Sequence, residues 1–416
     1  MIQIKDKKDC CGCHACTNAC PKQCITMQAD EEGFLYPVVD KETCIDCGLC
    51  EKVCPVINQN EPRKPLHVYA AKNKNEEIRM QSSSGGIFTL LAEAIINEGG
   101  VVFGAKFDKD WNVVHDYTET IEGIAAFRGS KYVQSTVGNT YSQAKKFLLA
   151  GRKVLFSGTP CQIAGLKKYL RKEYENLLTI DIICHGVPSP LVWRRYIDET
   201  VEKLRAERVD GKNTVSCSLN ELPVITGISF RDKTHGWKKY GFRISYAASK
   251  AAENSVSESA IDICEPHTTN AFMRAFLSDT ILRPSCYNCS AKQGKAHSDI
   301  TIADFWGINH IDPSFDDDKG CGAIFINTEK GANIYQLELT HYKEKTFDEV
   351  ITYNSAYYNS CIPHPKRTEF FKGLDNVTNL SAYITTMLKP KVSTRIINKI
   401  KRYAKAILRK TGFIKQ

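Results

Sequence analysis

A repeated cysteine pattern near the N-terminus constrains this chain more than any other feature. Cys10, Cys13, Cys16 and Cys20 followed by Pro21 give C-x2-C-x2-C-x3-C-P. Cys44, Cys47, Cys50, Cys54 and Pro55 repeat every element at one constant offset. In such a pair the first three cysteines fold around one cubane, while the x3 step and the proline carry the fourth to the other cluster. The spacing predicts two [4Fe-4S] clusters, one on Cys10, Cys13, Cys16 and Cys54, the other on Cys44, Cys47, Cys50 and Cys20. Zinc, the alternative, uses separated cysteine pairs and needs neither the third step nor the proline. Cys11 and Cys24 fall outside the repeat and read as bystander thiols. Ile25-Thr26-Met27 and Leu35-Tyr36-Pro37-Val38-Val39 flank Asp30-Glu31-Glu32-Gly33, the pattern of a hairpin.

With 416 residues there is material for two or three structural units. Ten of the eighteen cysteines lie before residue 55, and that clustering favours metal over disulfides. The N-terminus has no apolar stretch of signal-peptide length, and no segment approaches a membrane span, so the protein is expected in the cytoplasm. Residues 389–416 carry ten Lys or Arg and no acid, which accounts for the whole formal charge of +9. The body is therefore close to neutral and lacks the spread positive surface of a nucleic-acid binder.

After Pro62-Arg63-Lys64-Pro65, read as a linker, strands and helices alternate. Ser82-Ser83-Ser84-Gly85-Gly86 leads into an apolar helix from Ile87, with a serine as its expected cap. The open N–H groups there suit a phosphate, or the segment is simply a capped core helix. Arg128 and Lys131, in Arg128-Gly129-Ser130-Lys131-Tyr132, either meet a cofactor phosphate or are solvated surface charges. Lys153 to Gln162 reads strand, tight loop, helix, and Leu177 to Arg195 repeats the unit. Two successive βα units imply parallel neighbours whose strand ends share one edge, which gathers Cys161 and Cys184 in the loops just beyond their strands. With the pair Cys286 and Cys289 they make four soft ligands, read as a third [4Fe-4S] cluster, with structural zinc as the rival. Cys217, Cys264, Cys321 and Cys361 have no pattern and read as plain thiols.

Residues 1–60 resemble a bacterial dicluster ferredoxin. Residues 65 to 370 resemble the beta subunit of coenzyme F420 hydrogenase/dehydrogenase. The second likeness rests on Ser83-Ser84-Gly85-Gly86, Arg128-Gly129-Ser130-Lys131-Tyr132, Ser157-Gly158-Thr159-Pro160-Cys161-Gln162, Ile183-Cys184-His185-Gly186, Cys286-Tyr287-Asn288-Cys289 and Asp304-Phe305-Trp306-Gly307. It implies a flavoenzyme that binds FAD, with Ser83, Ser84, Gly85, Gly86, Arg128, Lys131 and Gly158 as the cofactor contacts and a [4Fe-4S] cluster in the same domain. It also implies electron exchange between iron–sulfur partners and a small organic substrate, of which coenzyme F420 is one candidate. The expected architecture is α+β: a dicluster module over 1–60, then an α/β flavin-binding domain with a partly parallel mixed sheet, in parts 65–180 and 181–370, and a basic tail over 389–416.

The chain thus reads as an iron–sulfur flavoprotein oxidoreductase that exchanges electrons with a protein such as ferredoxin. The competing readings are a non-catalytic electron-transfer subunit and an accessory protein of polysaccharide assembly. No catalytic residue is named; His185 and His235 are the two histidines a proton donor would come from. In the tail, Val392, Ile396, Ile400, Ala404 and Ile407 fall three or four apart among lysines and arginines, a basic amphipathic pattern. It suits peripheral contact with an anionic membrane at the inner face of the cell, or docking on the protein itself.

Overall fold

The computed structural model describes residues 1–209, 224–247 and 261–389. Cys217 and the amphipathic pattern of the tail lie outside them.

The head contains the expected hairpin, β1 (Ile25–Ala29) and β2 (Leu35–Val39), paired antiparallel with Ile25 opposite Val39. Asp30 closes its turn, its Oδ1 accepting from the amides of Glu32 and Phe34.

In the body the strands are β3 (His67–Asn73), β4 (Val101–Phe107), β5 (Val113–Thr118), β6 (Val154–Ser157), β7 (Leu177–Ile182), β8 (Val224–Asp232), β9 (Gly241–Ala247), β10 (Ile261–Pro266), β11 (Ile300–Asp304), β12 (Gly322–Ile326) and β13 (Thr340–Glu344). Eight form one mixed sheet in the order β13-β3-β12-β11-β7-β6-β4-β5. The neighbours β4, β6, β7 and β11 run parallel, and antiparallel strands flank them on both sides. Val154-Leu155-Phe156 and Leu177 to Ile180 are buried without alternation, as central parallel strands must be when both faces are covered. On one face the helix Ile87–Asn97 lays Ile87, Leu91 and Ile95 against Leu155, Leu178 and Ile324. On the other, the helices Thr140–Leu149 and Pro160–Leu170 pack Tyr141, Ile163 and Leu166 on Phe103 and Phe156. A second sheet, β10-β9-β8, makes a separate core with Trp193, Phe230 and Phe272. The architecture is thus the mixed α+β expected. The boundary at 180 falls inside β7, and β3, β12 and β13 tie both parts of the body into one sheet.

The head is set into the body. Cys13, Ala15 and Val53 share a core with Tyr141, Ile163 and Leu166. Asn18 donates to Gly138 O at 2.8 Å, Ser189 Oγ donates to Glu32 O, and Arg367 forks onto the Glu32 carboxylate. The expected linker is a strap: Arg63 N donates to Gln293 O at 3.1 Å, and Tyr357 OH donates to Arg63 O at 2.9 Å. Gly294 passes beneath with φ +70°, where a side chain would strike the Arg63 carbonyl.

Candidate functional site

The parallel strands end on one edge at Phe107, Ser157, Ile182 and Asp304. Register brings Gly322 opposite Asp304 and Ala71 opposite Gly322, so the loops carrying Ser83 to Gly86, Gly158, Cys184 and Asp304 to Gly307 all open there. A doubly wound sheet presents its ligands at such an edge.

Three cavities lined by cysteine lie between this edge and the outer face of the head. The outermost, about 350 Å³, has Cys20, Cys44, Cys47 and Cys50 on its walls together with Cys24, and Cys47 is exposed. The next, about 340 Å³, has Cys10, Cys13, Cys16 and Cys54. Both sets are those the crossed pairing requires. The short helices Ala15–Ala19 and Leu49–Lys52 each start from a left-handed residue, His14 and Gly48, which turns the cysteine loop back on itself. The third cavity, about 510 Å³, is lined by Cys161, Cys184, Cys286 and Cys289. Cys161 stands in the first turn of its helix, not in the loop before it, because Thr159 caps that helix reciprocally with Gln162 and Pro160 takes the first position. Cys184 lies two residues past β7, and Cys286 and Cys289 bracket the end of the 3-10 turn Pro284–Asn288.

The thiol environments suit metal. Burial pushes Cys16 and Cys184 up to about 12, and burial also raises Cys286, Cys289 and Cys54. Thiols held protonated by burial would release those protons on binding a cation. Backbone amides already aim at sulfur: Ile2 N donates to Cys50 Sγ at 3.3 Å and Val187 N to Cys286 Sγ at 3.4 Å. Such bonds to cluster sulfurs help set the potential. Sites whose soft donors are cysteine sulfurs fit iron–sulfur cubanes.

The sequence reading missed three thiols. Cys11 lines both the second and the third cavity, its Sγ within hydrogen-bond reach of the Cys13 and Cys161 thiols. Cys361, far along the chain from the motif of Cys184 and without a pattern of its own, donates to His185 O at 2.7 Å beside the third site. Cys24 lines the outermost cavity, its Sγ 3.4 Å from that of Cys20. His185 lines the third cavity and pairs through Nε2 with Asp279 at 2.6 Å, whereas His235 is exposed.

The expected flavin contacts also meet at the edge. The cap of the helix Ile87–Asn97 is Gly86, left-handed with φ +79° and with no side-chain cap; the expected serine cap is absent. Its first amides are left free of a side-chain partner. Gly85 is pressed against the backbone of Ala71 and Gly322, where a Cβ would come within 2.6 Å of Gly322 N. Ser83 Oγ accepts from Ser130 N at 2.7 Å, joining the two loops. Lys131 donates to the carbonyls of Ala126, Arg128 and Gly129, and burial lowers its ammonium to about 7. Arg128 Nε donates to Thr89 Oγ1 at 3.2 Å and its Nη1 to Gln81 Oε1. Gly158 lies over Gln162 and the buried His115.

Comparison with known proteins agrees with this layout. The family description "Coenzyme F420 hydrogenase/dehydrogenase, beta subunit N-term" matches residues 68–140, and its counterpart for the C terminus of the same beta subunit matches 151–348. "4Fe-4S dicluster domain" matches 9–58 and "4Fe-4S single cluster domain of Ferredoxin I" matches 39–83. No curated protein matches. One solved structure, "Xenon derivatization of the F420-reducing [NiFe] hydrogenase complex from Methanosarcina barkeri", aligns at 16% identity over 76% of this chain and 92% of that one. Its TM-score of 0.44 is too low to carry an argument. No helix among the described residues is long and apolar enough to cross a membrane. With both halves of the family's domain matched in order behind a dicluster domain, the chain belongs to the coenzyme F420 hydrogenase/dehydrogenase beta-subunit family and is an iron–sulfur electron-transfer subunit of oxidoreductase type.

Proposed function

We propose that the chain is an FAD-dependent iron–sulfur oxidoreductase that passes electrons between a ferredoxin-like protein and a small organic substrate through three [4Fe-4S] clusters. The observation that carries this reading is the sharing of Cys11 and Val56 by the second and third cavities. It supports adjacent second and third sites, and the crossed cysteine pattern of the head would join the outer site, with its exposed Cys47, to the second. Cys47 and its neighbours would meet the protein partner. The head's docking on the body fixes the spacing between sites, which suits one-electron relay.

When bound, FAD takes two electrons as a hydride and releases them singly. Gly85 and Gly86 would let its phosphates approach the first amides of the helix Ile87–Asn97, with Arg128 and Lys131 neutralising them. A deazaflavin such as coenzyme F420 is one substrate this edge would serve.

A second reading, a non-catalytic electron-transfer subunit, is favoured by one observation: Ser83, Arg128 and Lys131 are all engaged within the protein and would have to release partners to hold a phosphate. Flavin analysis of anaerobically purified chain, followed by reduction with dithionite or a reduced ferredoxin, separates the two. About one FAD per chain that bleaches on reduction supports the enzyme. Protein that stays flavin-free when incubated with FAD contradicts it.

A further inference from the structure

A buried arginine without a counter-charge stands between two of the three sites. Arg283 is 0% exposed, and among the described residues no carboxylate pairs with it. Its hydrogen bonds go to neutral acceptors: Nε donates to Cys10 O at 2.8 Å, Nη1 to Gln134 Oε1 at 2.9 Å and Nη2 to Leu35 O at 2.9 Å. The guanidinium lies against the inner head site so closely that a Cβ on Gly12 would be 2.9 Å from Nη1. The same side chain lines the third cavity. Gln134, donating to Cys11 O at 3.1 Å, holds it between the two.

An arginine cannot shed its proton in a protein, and a buried charge left unpaired is among the costliest arrangements a fold can hold. The two flanking thiol sets supply the missing charge, since a cubane bound by four thiolates is anionic and becomes more so on reduction. A buried cation stabilises the reduced form most and raises the potential. The third site has a second such cation. Lys292, 8% exposed, lines the cavity and donates from Nζ to Cys184 O and Ala356 O, both at 2.6 Å. The outer site has none: Lys22 and Asp46 on its wall are solvated, and the Met1 ammonium is neutralised by Asp46 at 2.5 Å. Burial acts in the opposite sense, favouring the less charged oxidised form. The same low dielectric strengthens the cation's attraction, and Arg283→Gln, which removes the charge at the same site, separates the two effects.

We infer that Arg283 is a shared counter-charge for the inner head cluster and the third cluster, holding both at higher potential than the outer cluster and drawing electrons inward. In each transfer one cluster loses one electron and its neighbour gains it, the first electron coming from an external one-electron reductant of the ferredoxin class. This inference rests on the three-cluster reading.

The test is a potentiometric titration followed by EPR on anaerobically purified full-length chain: wild type, Arg283→Gln and Arg283→Lys, with the outer signal assigned by Cys47→Ser. In the wild type the outer cluster should be the last reduced. In Arg283→Gln the reduction equilibria of the two inner clusters should fall at least tenfold, about 59 mV for a one-electron couple. The outer cluster should not move, and Arg283→Lys, which keeps the charge but not the fork of hydrogen bonds, should stay near wild type. A uniform shift, no shift, or an equal shift in Arg283→Lys overturns the inference. Should Arg283→Gln fail to fold, the wild-type order still decides, because an outer cluster reduced first is incompatible with it. About eight irons per wild-type chain would remove the three-cluster reading itself, whereas about twelve with unshifted potentials removes only the role of Arg283.

Discussion

The head and the body each hold cysteine sites, but they build them in opposite ways. In the head, eight ligands come from two short loops, and each loop lends its fourth cysteine to the other site. Within the module itself there are two helices of five and four residues, one hairpin and a core rich in the cysteines themselves, and the rest of its support comes from the body. In the body, the third site draws on Cys161, Cys184 and the Cys286/Cys289 pair, brought together by an eight-stranded sheet with apolar cores on both faces. The contrast predicts that the head depends on metal for its fold and that the body does not.

Chelation under reducing conditions should expose that difference most strongly. Residues 1–60 are expected to lose amide protection in hydrogen exchange while β4, β6, β7 and β11 keep theirs. Equal loss in both regions would break the comparison.

Cysteine substitutions sharpen it. Cys286→Ser should remove about four of about twelve irons and leave the head's clusters spectroscopically intact. Cys54→Ser should disturb both head clusters, because the crossed ligands couple them, and an effect confined to one would argue against the shared scaffold.

A smaller effect tests the docking of the two regions. Glu32 and Arg367 are each 12% exposed in their side chains, and Glu32→Ala leaves the guanidinium without its carboxylate. A loss of about 3 kcal/mol in denaturant unfolding is expected. An unchanged midpoint would mean that the head is not locked through this pair.

Legibility in the sequence followed the same division. The dicluster motif and the hairpin were readable because their constraints span a few residues, and the βα units at β6 and β7 because buried parallel strands carry continuous apolar runs. The edge that gathers Cys161 and Cys184 followed from topology. What could not be read depends on contacts between distant segments. Cys11 looks idle beside Cys10 until the helix after β6 brings Cys161 against it. Arg283 reads as a residue before a proline until the head folds onto it. Three serines suggested a cap at the helix Ile87–Asn97, but the chain enters it through a left-handed residue, Gly86, just after Gly85 crosses the backbone of Ala71 and Gly322. Pro62 to Pro65 carry linker composition, and only their partners Gln293 and Tyr357 make them a strap.

The smallest effects belong to the flavin edge. Gly85→Ala should cost about 1–3 kcal/mol, since the new methyl meets backbone on two sides. If Lys131 serves the proposed flavin phosphate, Lys131→Met should weaken FAD retention roughly tenfold, about 1.4 kcal/mol, with iron content unchanged. Equal flavin retention in wild type and Lys131→Met would take that lysine out of the site.

Iron and acid-labile sulfide counted on the same anaerobic sample, for wild type and Cys286→Ser, test the central claim most directly. A relay of three clusters predicts about twelve of each in the wild type and about eight in the variant. About eight in both would contradict it and leave a ferredoxin head on a body with no cluster of its own.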